Sequence, residues 1–141
     1  MPGQPGGRTV TGTDNDQIRT LLQRYARAVD ERDIDTLSGL FHPGAEITGS
    51  RGTQSREEWL SDMRAPRSFP RSMHVLGEPL IELDAGGDRA TADTYAVVYQ
   101  LGDQKAGQGD LTLGMRYLDQ MVLLDGGWVI AHRQATMVWM R

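Results

Sequence analysis

His74 stands in Ser72-Met73-His74-Val75-Leu76-Gly77, a stretch that reads as the opening of a strand with apolar residues on either side of the imidazole. A ring turned into a fold needs a polar partner. A carboxylate is the partner that makes it a general base, because it fixes one tautomer, raises the basicity of the other nitrogen and stabilises the imidazolium. The candidate carboxylate is Asp30, which ends Tyr25-Ala26-Arg27-Ala28-Val29-Asp30. Tyr25 and Asp30 lie about 140° apart round an ideal helix, so they share one site only where the helix end meets a cavity rim. Such a constellation predicts removal of a proton alpha to a carbonyl or from a hydroxyl, with Tyr25, or else Tyr95 or Tyr117, as a donor to the developing oxyanion. Each residue also has a plainer reading: His74 as a hydrogen-bonded core residue, Asp30 as a helix-end residue, Tyr25 as core.

A second pair interrupts two apolar rows. The odd positions from Leu111 to Leu124 are apolar except for Tyr117 and Asp119, and those from Val129 to Trp139 are apolar except for Arg133. If Leu124 pairs with Trp128 across Asp125-Gly126-Gly127, Asp119 falls opposite Arg133; a two-residue Gly-Gly turn would offset them by one. An inward ion pair there is either a strut or a clamp for a polar substrate group. Tyr95, Tyr99, Arg116 and Tyr117 are further candidates for contact with substrate, as is Trp59.

Bulk properties narrow the classes. At 141 residues the chain is expected to form one domain over 13–141, after a Gly- and Pro-rich tail, 1–12, that carries no chemistry. With no cysteine, disulfides, thiolate nucleophiles and Cys-ligated metals are excluded, and a cytoplasmic setting is the default. A net charge of -4 with scattered arginines offers no footprint for nucleic acid. No apolar run is long enough to span a membrane. The three histidines lack metal-ligand spacing, and no phosphate-binding loop, dinucleotide fingerprint or nucleophile elbow is present. The expectation is therefore chemistry with no metal or cofactor.

The elements that must position these residues follow from capping and period. Thr13 and Asp14 open a first helix whose stripe is Ile18, Leu21, Leu22, Tyr25 and Val29. Asp33 caps a brief second helix with Ile34, Leu37, Leu40 and Phe41 inward, stopped at His42-Pro43-Gly44; Ala45–Thr48 is a short strand. Ser55 and Glu58 make a capping box for a third helix carrying Trp59, Leu60 and Met63, and the proline-broken run Arg64–Arg71 has the length of a flap. Period-two runs follow over Met73–Leu83, Ala90–Leu101, Leu111–Leu124 and Trp128–Met140, joined by turn-rich segments. Helices followed by consecutive strands predict an α+β domain: a curved antiparallel sheet packed on three N-terminal helices and enclosing a pocket. The outer sheet face, with Thr112, Arg116, Gln120 and Gln134 beside Leu118 and Val122, suits contact with a second copy.

Together, Tyr25-x4-Asp30 with Glu-Arg-Asp-Ile-Asp after it, Met-His74-Val-Leu-Gly, Gly114-Met-Arg-Tyr-Leu-Asp119 and Asp-Gly-Gly-Trp128-Val-Ile-Ala-His-Arg133 resemble the SnoaL-like branch of the nuclear transport factor 2-like superfamily, over residues 13 to 140. The resemblance implies a cone-shaped α+β barrel with a deep apolar pocket, often assembled as a homodimer or higher oligomer. Its scytalone dehydratases, hexachlorocyclohexane dehydrochlorinases and bile acid dehydratases are similar in using an aspartate near the end of helix one with a strand histidine, positions that match Asp30 and His74. Its polyketide cyclases use an aspartate base, and other members catalyse nothing. The chain departs from the two-histidine version in having Gln100 or a neighbour at the second position, and it has Val138 where many members carry an acid. The function so implied is a dehydratase, isomerase or cyclase acting on a small polyketide-, steroid- or terpenoid-like substrate. The alternative is a non-catalytic ligand-binding or oligomerisation domain.

Overall fold

The computed structural model describes residues 13–141, so the expected N-terminal tail lies outside the described residues. Helix α1, Asp14–Glu31, begins where the Thr13 hydroxyl accepts from the Asp16 amide at 3.1 Å and ends where Arg32 turns left-handed with φ 55°. Its stripe from Ile18 to Val29 is buried, as the period of 3.6 requires. Helix α2, Ile34–Leu40, is capped by Asp33, and α3, Arg56–Arg64, by the Ser55–Glu58 capping box.

Seven strands follow or interleave: β1 Phe41–Gly49, β2 Gly52–Ser55, β3 Arg71–Leu76, β4 Leu80–Leu83, β5 Arg89–Leu101, β6 Leu111–Leu124 and β7 Gly127–Met140. They form one unclosed sheet in the order β2-β1-β7-β6-β5-β3, with β4 also on β5. The helices pack on one face of it, which makes this an α+β fold. All pairings are antiparallel except β1 with β7, which is parallel. No helix among the described residues is long and apolar enough to cross a membrane.

Three local expectations change. The run Met73–Leu83 is two strands, because Gly77-Glu78-Pro79 interrupts it; Pro79 has no N–H for the ladder, and the Gly77 amide instead reaches the Tyr95 carbonyl at 2.7 Å. The strand at Ala45 already starts at Phe41. His42-Pro43-Gly44 is absorbed there as an irregularity between the pairs Phe41–Ile130 and Glu46–His132. The β6–β7 hairpin closes on the two-residue turn Asp125-Gly126, with φ 52° and 82°, so Leu124 pairs with Gly127 and not with Trp128. A shift between Gln120 and Met121 then restores the offset, and Asp119 meets Arg133 after all.

That pair is the centre of the packing. Arg133 Nε and Nη2 donate to the two Asp119 oxygens at 2.7 and 2.8 Å, both residues being 2% exposed. The guanidinium lies 4.0 Å from the Tyr25 ring centroid and 4.3 Å from that of Tyr117. Burial pushes the Arg133 pKa down, but the Asp119 carboxylate and the two tyrosines more than offset it, so the group stays charged. Around it Ile18, Leu22, Leu37, Phe41, Leu60, Met121 and Ile130 are all but fully buried. Removing one partner leaves an unpaired buried charge. Asp119→Ala is expected to lower the unfolding free energy by about 3–5 kcal/mol in urea denaturation, and Asp119→Leu/Arg133→Met to lose far less than the sum of its single changes. Additive losses would show that the two side chains do not act as a pair.

Candidate active site

Asp30 is the last inward polar residue of α1, and His74 is an inward residue of β3. Their meeting is a consequence of α1 crossing the edge of the sheet that β3 forms. His74 Nδ1 lies 2.7 Å from Asp30 Oδ1, and the His74 amide donates to Oδ2 at 2.8 Å. An ionised carboxylate only accepts, so Nδ1 carries the proton and Nε2 the lone pair. The pair is largely enclosed, with side-chain exposures of 8% for His74 and 19% for Asp30. Tyr25 approaches the same imidazole edge-on, with centroids 6.3 Å apart and planes at 85°. The 140° offset along α1 thus brings ring and carboxylate to His74 from two sides.

The expected lift in basicity is outweighed. Burial lowers the His74 pKa most; the hydrogen bond and charge of Asp30 raise it, and the positive charges of Arg133 and Arg32 lower it again, for a net value below that of ordinary histidine. The surroundings thus favour the neutral imidazole, whose free nitrogen is an acceptor. Burial likewise raises the Tyr25 and Tyr117 pKa values, so both phenols keep their protons.

Tyr25 is the hub of the aromatic cluster, in ring contact with Phe41 at 6.2 Å, Trp59 at 6.3 Å and Tyr117 at 6.1 Å. The structure thus brings Asp30, His74, Tyr25, Trp59, Tyr117, Asp119 and Arg133 to the concave side. It does not bring Tyr95, Tyr99 and Arg116 there. His74 pairs with Val98, so the even positions of β5 share its face and the odd ones turn away; Arg116 pairs with Tyr95 and turns away too. Arg116 instead forms a bidentate pair with Asp93 at 2.9 and 2.6 Å on the convex face, where Tyr95 is 63% exposed.

Sequence reasoning missed two groups. Arg67 and Ser72 bind Asp30 directly: Ser72 Oγ donates to Oδ1 at 2.8 Å, and Arg67 Nη1 donates to the main-chain carbonyl at 3.1 Å. Arg67 lies in the loop four residues before β3 and Ser72 is the second residue of that strand, positions that carry no periodic signal that could have shown this. The second group is an apolar shelf. The registers align His74, Val98, Leu113 and Met140 in one row and Leu76, Ala96, Met115 and Met137 in the next. Their period-two apolar pattern was legible, but not that Met137 and Met140 stay more than half exposed.

Four cavities of about 350–400 Å³ lie elsewhere, one along the outside of α1 and three on the sheet, and none of the four is lined by Asp30 or His74. Among the described residues no three of His, Asp and Glu converge as a metal-binding set.

A SnoaL-like domain matches residues 11–134, and the chain belongs to that family within the nuclear transport factor 2-like superfamily. Uncharacterized proteins of Mycobacterium tuberculosis and Mycobacterium bovis are 29% identical to it over 130 residues, which is 88% of this chain and 85% of theirs. Among solved structures, a hexachlorocyclohexane dehydrochlorinase aligns with a TM-score of 0.78 at 18% identity, over 89% of this chain and 86% of that one. A candidate scytalone dehydratase of Novosphingobium aromaticivorans aligns at 0.77 with 17% identity, over 89% and 85%. A protein of Kribbella flavida aligns at 0.81 with 19% identity, over 91% and 93%. At these identities the likeness concerns the fold.

The pH dependence of stability follows from the His74 shift. A pKa lowered by folding means that the folded state favours the neutral ring. Its contribution is complete above the unfolded value of about 6.5 and is lost as the pH falls from there through the folded value. Urea midpoints of wild type and His74→Gln are expected to diverge above that window and to converge on acidification. Parallel curves would remove His74 as the source.

Proposed function

We propose that this SnoaL-like chain is a cofactor-independent enzyme in which His74 is the general base, acting on a small, largely apolar substrate that carries a carbonyl or hydroxyl group. The observation that carries the reading is the 2.7 Å contact of His74 Nδ1 with Asp30, which leaves Nε2 as a lone-pair donor beside an apolar shelf. Nε2 takes a proton from the carbon alpha to the carbonyl, and Asp30 stabilises the imidazolium. The electron pair moves onto the carbonyl oxygen. Arg133 Nη1, buried and without a hydrogen-bond partner among the described residues, is the donor suited to that oxygen, with Tyr25 beside it.

The imidazolium then returns its proton, either to another carbon, which is isomerisation or precedes ring closure, or to a departing hydroxyl, which is dehydration. The dehydrochlorinase and candidate dehydratase that share the fold are named for eliminations, which supports the lyase or isomerase class. Trp59, Tyr117, Met115, Met137 and Met140 are the proposed apolar contacts. A polyketide-, steroid- or terpenoid-like skeleton suits that lining.

The test is exchange of the alpha proton of cyclic ketones and hydroxyketones in deuterium oxide, followed by NMR. His74→Ala and Asp30→Asn are each expected to slow exchange about 10²–10⁴-fold. Equal rates in wild type and His74→Ala would leave a binding domain.

A second reading is self-association through the convex face, favoured by an apolar groove of about 400 Å³ that includes Val75, Tyr95, Val97, Val138 and Trp139. Sedimentation velocity over a concentration series is expected to show a dimer in wild type and a monomer in Tyr95→Glu. An unchanged sedimentation coefficient in the variant would exclude that face.

A further inference from the structure

We infer that Arg67 and Ser72 are positioning residues for the Asp30–His74 pair, holding the Asp30 carboxylate in the orientation that commits His74 to one tautomer. The inference rests on the reading of His74 as a base. It starts from a local conflict. Asp30 sits in the last turn of α1, where the helix dipole presents partial negative charge, and that turn contains no basic residue. A carboxylate in that place is repelled by its own helix and must be held from outside.

The support comes from two guanidinium groups and one hydroxyl. Arg32 Nη1 donates to the Val29 carbonyl at 2.7 Å, and Arg67 Nη1 to the Asp30 carbonyl at 3.1 Å, so the exposed end of the helix is covered by positive charge. The second nitrogen of the Arg67 fork, Nη2, donates to Ser72 Oγ at 3.0 Å. A guanidinium has no lone pair to offer, so the hydroxyl must accept there and direct its single proton elsewhere. Asp30 Oδ1 is the acceptor, at 2.8 Å. The chain of donors therefore has one direction, from Arg67 to Ser72 to Asp30.

With Oδ1 taking Ser72 and His74 Nδ1, and Oδ2 taking the His74 amide, both oxygens are engaged and the carboxylate has no freedom to rotate. Each donor removes an alternative in which His74 turns over and presents Nε2–H. Lysine does not substitute for Arg67, because one ammonium does not span two acceptors with the planar fork. Arg67 also belongs to the connection between α3 and β3, which Gln108 holds by donating to the Ser68 carbonyl at 2.9 Å. The length and proline content of that connection serve to bring a guanidinium back over the end of α1.

The experiment reads the tautomer directly. Two-dimensional ¹⁵N–¹H spectra of the full chain, recorded above the His74 titration, are expected to show Nδ1–H alone in wild type. In Ser72→Ala and Arg67→Gln the ratio of Nδ1–H to Nε2–H is expected to fall about tenfold. Ser72→Thr, which keeps the hydroxyl, is expected to restore the wild-type pattern, as a purely steric role for Ser72 would not. If Asp30→Asn redistributes the tautomers but Ser72→Ala and Arg67→Gln do not, the positioning role is overturned and the dyad stands. If Asp30→Asn changes nothing, the base reading itself fails. Should Arg67→Gln not fold, the contrast of Ser72→Ala with Ser72→Thr decides.

Discussion

A guanidinium that has lost its water needs its charge compensated by the protein, and the Arg133 group, 2% exposed at the middle of the sheet, sets this requirement for the whole fold. Asp119 meets it in the plane with two short hydrogen bonds, while Tyr25 and Tyr117 meet it with the electron-rich faces of their rings. Three consequences follow. The β6–β7 register has to place residue 119 opposite 133, which the two-residue hairpin turn alone does not do, so the ladder carries a shift between Gln120 and Met121. Helix α1 has to lie with Tyr25 against the sheet. The aromatic cluster of Phe41, Trp59 and Tyr117 then closes around that tyrosine.

Once Tyr25 is fixed, the rest of α1 has little choice. Its start is tied to β7 by the Trp128 indole, which donates to Asp14 at 3.0 Å, and its end is tied to β3 through Asp30. A helix held at both ends and in the middle delivers a carboxylate to the opposite edge of the sheet with the precision that a hydrogen-bonded imidazole needs. The arrangement is not the one of lowest local energy. A negative charge at a helix C-terminus is opposed by its own helix, and a histidine buried beside two arginines gains less basicity from its carboxylate than the contact alone would give; the packing and the flanking arginines hold both in place.

Chemistry of this kind depends on contrast. The concave face combines the Asp30–His74 and Asp119–Arg133 pairs, two tyrosines and a broad set of apolar side chains, among them methionines that adapt their shape to what they touch. Such a surface discriminates little by charge and much by shape. On the proposed reading, the reaction class depends on where a substrate's acidic C–H and leaving group lie relative to Nε2. Family membership governs the sheet and the helices, whereas the chemistry rests on the side chains they carry.

Local physics made most of the elements legible. The cap at Thr13, the capping box at Ser55, the stripe of α1 and the alternation in β5 to β7 are short-range patterns that the backbone obeys wherever it is. The pairing of Asp119 with Arg133 was legible too, since two polar residues in apolar rows one hairpin apart have few other partners, although the turn that joins the strands differs from the one assumed. Which face Tyr95, Tyr99 and Arg116 occupy followed from the same alternation once one residue of each strand was anchored. What tertiary structure alone decided is how groups far apart in sequence combine. The donors from Arg67 and Ser72 to Asp30 lie on a loop and a strand start without periodicity, and the net fall in the His74 pKa is a sum over burial and the charges of Asp30 and Arg32 at the end of α1 and of Arg133 on β7. Alternation and capping are properties of neighbours along the chain, whereas desolvation and charge pairing are properties of neighbours in space.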